Sequence, residues 1–464
     1  MFFFLVLVVF YHLIARFAKN AVLIQNVFLL AASLFFYAFA DLRFVPFLLY
    51  IIVISWLGGR FCKNRLSLVA FIVADLAPLL ALKYCPQILH TRWIFPLGIS
   101  FFTFQSVSYI ADSYTKKIPS EKSLLNVALF ISFFPVVSSG PIQRAGNLIP
   151  QFKNARHFDY DNATDGMKLF AWGIFKKLCI ADKIAFYVDT VYGNVSEQYG
   201  IALLMVAVLY SFQIYCDFSG YSDMAIGIAR YLGIDVGKNF DHPYLSQSVG
   251  EFWRRWHISL SSWLRDYVYI PLGGSRVALP RIYLNLIATF FVSGIWHGST
   301  LNFVIWGLIH GFILCVERAT RPAMEKVRIP AWIKVLVTFC LITFAWIFFR
   351  AQNLAEASAV IAKIASIPKE LLSFKELLSD NGGFSSTGKA LLGLPTSTGY
   401  RGLFLIFVCL GIFLVSSLST TKLAGLQKIK AMPVGLRWTL YVFLCLCILL
   451  LASKSSSVFI YNQF

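Results

Sequence analysis

The chain has 464 residues, 58% of them hydrophobic and only 14% charged, and its mean hydropathy is +0.70. An average soluble chain is roughly 45–50% apolar and about 25% charged, so lipid must be the solvent for most of this one, and disorder, a coiled coil and a secreted disulfide scaffold are excluded. The formal charge of +19 comes from Lys and Arg gathered in short connectors between apolar runs, the positive-inside bias of a membrane protein rather than a nucleic-acid footprint.

A spanning helix needs ~20 apolar residues. In chain order the candidate spans are Phe2–Ala15, Val22–Ala40, Phe44–Leu57, Leu66–Leu82, Phe95–Ala111, Leu124–Val137, Tyr199–Tyr215 and Tyr283–Ile295. Leu301–Val316, Trp332–Phe349, Leu403–Leu418 and Trp438–Ala452 follow. The expectation is an all-α, polytopic membrane protein of about ten to twelve spans, with residues 1–464 forming one membrane domain. Phe2–Ala15 lacks a basic leader and a small-residue cleavage site, so it reads as a retained helix. Several runs fall short of a full crossing and imply tilted or re-entrant helices.

Two stretches differ from the rest. Phe158–Lys183 interleaves Lys168, Lys176, Lys177 and Lys183 with Leu, Phe, Trp and Ile, the pattern of a helix lying in the interface. Phe218–Pro271 is polar and aromatic together and too charged to cross lipid alone; such a backbone must pack on other helices or line a cavity.

The charge bias also orients the chain. Arg318–Arg328 and Lys422–Arg437 are strongly basic, which puts both in the cytoplasm, and Ala351–Arg401 between them is near balance, which suits an extracytoplasmic loop. Arg254–Arg281 is basic too, and two spans separate it from Arg318. Those spans form a hairpin with cytoplasmic ends, and Trp296-His297-Gly298 lies near its turn.

Buried polar residues in such surroundings cost free energy unless paired or used. They concentrate at Gln213–Asp223, Asn239–Tyr244 and Glu251–Tyr267, and again at Phe291–Gly298 and Trp306–Gly311. The nine cysteines are scattered without a CxxC, and His12, His90, His157 and His242 have no clustered ligands, so no metal site is expected.

Phe252-Trp-Arg-Arg-Trp-His257-Ile-Ser-Leu-Ser-Ser-Trp-Leu-Arg-Asp-Tyr267, followed by Trp296-His297-Gly298 in an apolar helix, resembles the membrane-bound O-acyltransferase family. Four further pieces resemble its alginate O-acetyltransferase branch: Pro96–Gln105, Phe134-Pro with Ser139–Arg144, Tyr215–Met224 and Tyr269–Gly274. The resemblance is close over residues 90–315. One departure is Ala40-Asp-Leu-Arg43, where a Trp-Asp-Pro-like turn is more usual.

The resemblance implies helices around a central pore and histidine-dependent transfer of an acetyl group. The donor would be cytoplasmic acetyl-CoA, with no bound cofactor. The acceptor would be a cell-surface polysaccharide of the alginate or peptidoglycan type, reached with a periplasmic esterase-like (SGNH) partner from the bacterial inner membrane. It implies His297 as the catalytic histidine and gives His257 a second claim. Trp296, Arg254, Arg255, Trp256, Arg265, Asp266, Asp217 and Tyr221 become candidates for binding the donor or acceptor. The chemistry agrees: such a transfer needs a base for the hydroxyl proton, donors for the developing oxyanion and exclusion of water from the thioester. The arginines suit coenzyme-A phosphates, or else snorkel at the interface. Asp217, Asp223 and Asp266 read equally as ion-pair partners of nearby arginines, and His310 as structural. Two rival functions are D-alanyl transfer to teichoic acids from a carrier protein, and a non-enzymatic transporter with a polar midplane. The run after Asp266 fits the acetyl branch better.

Overall fold

A computed structural model describes residues 2–89, 95–373, 384–394, 399–418 and 428–453. His90, part of Ala351–Arg401 and part of the basic connector Lys422–Arg437 lie outside these residues. Long apolar runs fold as helices because a chain that leaves water must pair its backbone polar groups within the segment. The helices are α1 (Phe2–Phe17), α2 (Ala21–Ala40), α3 (Val45–Phe61), α4 (Arg65–Ile88), α5 (Ile99–Tyr114) and α6 (Leu124–Ser132). Next come α7 (Phe134–Val137), α8 (Ala145–Phe152), α9 (Tyr160–Ile174), α10 (Asp182–Tyr192) and α11 (Gly200–Tyr231). Then follow α12 (Val249–Arg255), α13 (Ile258–Leu264), α14 (Leu279–His297), α15 (Leu301–Met324) and α16 (Ala331–Arg350). Later helices include Leu354–Ala365, Gly399–Leu418 and Val434–Leu451.

Among the described residues, eight helices are long and apolar enough to cross a membrane, and they correspond to eight of the twelve predicted runs. Of the other four, α1 and α5 are helices of 16 residues each, and Gly399–Leu418 is a further apolar helix. The fourth, Leu124–Val137, is broken: Phe133 leaves the helical region at φ −50, ψ 108 and separates nine-residue α6 from four-residue α7. Pro135 in the first turn of α7 has no N–H with which to continue the α6 ladder. Where a Trp-Asp-Pro-like turn was expected, Asp41 accepts from the Arg43 backbone N–H at 3.0 Å and pairs with its guanidinium at 2.6 Å, which closes a 3₁₀ turn over Leu42–Phe44.

Two polar stretches fold otherwise than their composition suggests. The predicted span Tyr199–Tyr215 does not stop at the polar residues that follow: α11 runs 32 residues and is buried along most of its length. Asp217, Ser219, Ser222 and Asp223 are all buried. Phe158–Lys183 forms α9 and a π-helical segment, Phe175–Ala181, and two of its lysines are buried rather than facing an interface. Lys176 donates to Ser219 Oγ at 2.9 Å, and Lys177 pairs with Asp182 at 2.9 Å and Asp217 at 2.7 Å. Pairing is what lets these charges leave water.

The described residues group into two compact units. The first comprises Met1–Ala171, Tyr221–Asn239 and His257–Trp263. Its core lies among α2, α3, α5 and α6, around Leu29, Leu48, Phe102, Phe130 and Phe133. A polar clamp fixes its edge: Arg156 donates to Asn26 Oδ1 at 2.6 Å, and Gln25 Nε2 donates to the Arg156 carbonyl at 2.8 Å.

The second unit comprises Trp172–Gly220, Phe240–Trp256 and Leu264–Phe464. Its centre is the antiparallel pair α14 and α15, joined by the three residues Gly298–Thr300. Glycine lets the two backbones touch. A Cβ on Gly294 would stand 2.4 Å from the Phe303 carbonyl oxygen, and one on Gly307 only 2.2 Å from that of Phe290. Those neighbours are backbone and have no rotamer to yield, so any side chain there would push the hairpin apart.

Candidate active site

His297 is the last residue of α14, directly before the turn, as the hairpin argument from charge predicts. Three rings hold the imidazole edge-on: Trp296 at 4.7 Å between centroids, Trp306 at 4.8 Å and Phe349 at 5.3 Å. The residue is 5% exposed. Asn302, at the start of α15, donates to the Ala351 carbonyl at 2.7 Å and ties the turn to the end of α16. A Cβ on Gly298 would meet the Phe303 ring at 2.0 Å, so glycine is needed for the turn to close over Phe303.

The spacing along both helices is as informative as the motif. Asn285, Thr289, Ser293 and His297 recur every four residues and so share one face of α14; all four are buried. Asn302, Trp306 and His310 do the same on α15, and all three are buried. His310 therefore lies one turn beyond the tryptophan that touches His297. Its Nδ1 accepts from Trp253 Nε1 at 3.3 Å, and its ring meets Trp306 edge-on at 4.9 Å.

Trp253 is carried by α12, whose start is set locally. Ser248 Oγ accepts from the Glu251 N–H at 3.1 Å, and Glu251 Oε2 accepts from the Gln247 N–H at 2.8 Å, the reciprocal logic of a capping box. Arg255 at the other end pairs with Glu251 at 2.6 Å. Arg254 is exposed and makes no ion pair among the described residues. Trp256 is buried and tilts against Trp346 at 5.2 Å, which in turn stacks on Trp306 at 5.7 Å. Trp253, Trp256, Trp296, Trp306, His297 and His310 thus belong to one aromatic layer of the second unit.

The remaining candidates are placed elsewhere. Arg265 and Asp266 pair with each other at 2.8 Å on a π-helical turn, Arg265–Tyr269. Asp217 pairs with Lys177, a lysine 40 residues upstream, rather than with an arginine nearby. Tyr221 is half-buried on the part of α11 that belongs to the first unit, where Asp223 is fully buried. His257 also lies in the first unit, so the two candidate histidines occupy different units.

His257 has a defined protonation. Asn239 Oδ1 accepts from the Ser259 backbone N–H at 3.3 Å and from Ser259 Oγ at 2.8 Å. A backbone N–H only donates, so the amide is oriented with its oxygen toward the imidazole, and His257 Nδ1 at 3.2 Å must carry the proton. Nε2 then bears the lone pair. Its backbone sits at φ +42, a conformation that non-glycine residues adopt rarely and that recurs at functional sites. Sequence reading noted the polarity of Asn239 without a role for it; its place 18 residues from His257 gives no periodicity from which to find the pair.

Complete burial pushes the His257 pKa from its usual 6.5 down to about 3. The unfolded chain therefore takes up this proton at a pH where the folded chain still excludes it. This histidine lowers stability progressively as pH falls from 6.5 towards 3, by up to about 1.4 kcal/mol per unit. Thermal unfolding of the detergent-solubilised protein between pH 7 and 4 should show the decline, and His257→Gln, which cannot titrate, should flatten it. Parallel profiles for the two proteins would disprove the assignment.

Comparison with known proteins gives the family. The family profile described as the membrane-bound O-acyltransferase family matches residues 44–355. The chain is similar to the peptidoglycan O-acetyltransferase of Helicobacter pylori, 36% identical over 429 residues that cover 80% of this chain and 81% of that protein. It is similar to the probable alginate O-acetylase AlgI of Azotobacter vinelandii, 36% identical over 433 residues that cover 88% and 83%. The teichoic acid D-alanyltransferase of Bacillus subtilis is 28% identical over 314 residues, covering 61% and 77%. With the matched profile running from α3 through the histidine hairpin to the turn after α16, this chain belongs to the membrane-bound O-acyltransferase family.

Proposed function

We propose that this acyltransferase moves an acetyl group from cytoplasmic acetyl-CoA towards hydroxyls of a cell-surface polysaccharide of the alginate or peptidoglycan type. It does so from the bacterial inner membrane, with an esterase-like periplasmic partner completing the transfer. The observation that carries this reading is a histidine buried among three aromatic rings at the turn of a membrane-spanning hairpin. A neutral imidazole in such surroundings is suited to take the proton of an attacking hydroxyl, and the rings around it exclude water that would hydrolyse a thioester.

The acetyl reading is favoured over D-alanyl transfer because relatives named as O-acetylating enzymes are more similar and are matched over more of the chain. Family membership argues against a transporter that does no chemistry. Arg254, exposed at the end of α12 with no acidic partner among the described residues, is the arginine best placed to meet donor phosphates, because Arg255 and Arg265 already hold carboxylates. Membranes containing the chain, an esterase-like periplasmic partner and the polymer should incorporate label from radioactive acetyl-CoA. Label entering from a D-alanyl-charged carrier protein instead would assign the chain to the other branch.

A further inference from the structure

The aromatic layer around His297 contains nitrogen chemistry that packing does not require. Trp306 and His310 are one turn apart on α15, and both are fully buried. Neither Trp306 Nε1 nor His310 Nε2 has a hydrogen-bond partner among the described residues. The His310 tautomer follows from its neighbour: indole N–H is a donor only, so Nδ1 facing Trp253 must accept, and the proton sits on Nε2. Both orphaned atoms are therefore donors. On the facing helix the Ser293 hydroxyl, one turn before His297, is likewise buried and unbonded.

Packing asks only for a ring of the right shape, not for an N–H whose burial unpaired costs about 1–3 kcal/mol. Two such donors on one helix face beside the histidine call for an acceptor brought by a ligand. The fitting group is a carbonyl oxygen, above all one that becomes negative. Resting on the acetyl-transfer reading, we infer that Trp306 Nε1–H and His310 Nε2–H form the seat for the acyl carbonyl oxygen of the donor.

The reaction balances on this seat. The acceptor hydroxyl oxygen bonds to the carbonyl carbon while its proton passes to His297, and the C=O pair moves onto the seated oxygen. Collapse restores the double bond and breaks the C–S bond, and the departing thiolate takes the proton back from His297. Donors fixed where charge develops lower the barrier most, because they need no reorganisation.

The test uses the full chain in membranes with radioactive acetyl-CoA. Trp306→Phe keeps an aromatic ring, though a smaller one, and removes the donor; it should reduce turnover roughly tenfold to a hundredfold with little change in KM, as expected for a contact made in the transition state. Benzothienylalanine incorporated at position 306 keeps the bicyclic shape without the N–H and should behave likewise, which guards against a packing defect in the phenylalanine variant. His310→Gln, whose amide nitrogen reaches the Nε2 position, should retain more turnover than His310→Asn. Undiminished turnover in both position-306 variants overturns the seat, and so does equal turnover in the two His310 variants. His297→Gln is the separate control. If it is inactive while the position-306 variants are not, acyl transfer stands and only the seat falls; a wild-type chain that never consumes acetyl-CoA removes both.

Discussion

Membranes carrying His297→Gln are expected to transfer acyl groups ~10²–10⁴-fold more slowly than wild type, the usual span for loss of a general base. Glutamine is close to histidine in size and stays polar, so it can occupy the space between Trp296, Trp306 and Phe349. It has no nitrogen that titrates near neutral pH. A structural histidine would give a different pattern. The turn is held independently by Asn302 bonding to the Ala351 carbonyl and by the Gly294 and Gly307 contacts, so the hairpin should survive the exchange. Activity should therefore fall while membrane abundance and melting temperature stay close to wild type. If both fall together, the ring is a packing element and the base must be sought elsewhere.

The parts of the fold that depend on one segment's composition were legible in the chain. Eight apolar runs became membrane-length helices, and the charge bias of the connectors placed Trp296-His297-Gly298 at the turn of a hairpin. The break at Phe133 was missed because Leu124–Val137 is apolar throughout, and only Pro135 hints that the ladder cannot run on. The continuation of α11 past Tyr215 was missed for the opposite reason. Its polar residues look like a stop until their partners are known, and Lys177 lies 40 residues away. The same limit hid the pairing of Asn239 with His257. The four-residue spacing of Asn285, Thr289, Ser293 and His297 needed no partner at all; it was visible as a polar stripe on a membrane helix, and motif matching drew attention past it to the histidine alone.

Lys177→Met should destabilise the protein by about 3–5 kcal/mol, the cost of removing one member of a buried charge cluster. The Lys177 ammonium lies between Asp182 and Asp217, whose side chains are 0% and 2% exposed. Methionine fills the stem's volume and removes the cation, so two carboxylates remain in a medium that solvates them poorly. Neutralising one of them in addition, Lys177→Met with Asp217→Asn, should recover part of the loss, since the surviving acid then has no like charge opposite it. This pair also decides what Asp217 does. It lies in the Tyr215–Met224 motif and is one of the donor-binding candidates, yet its carboxylate is already engaged. Asp217→Asn alone should lower melting temperature and active enzyme in proportion and leave KM for acetyl-CoA unchanged. A raised KM at normal melting temperature would return Asp217 to the donor site and assign Lys177 the task of aiming it there.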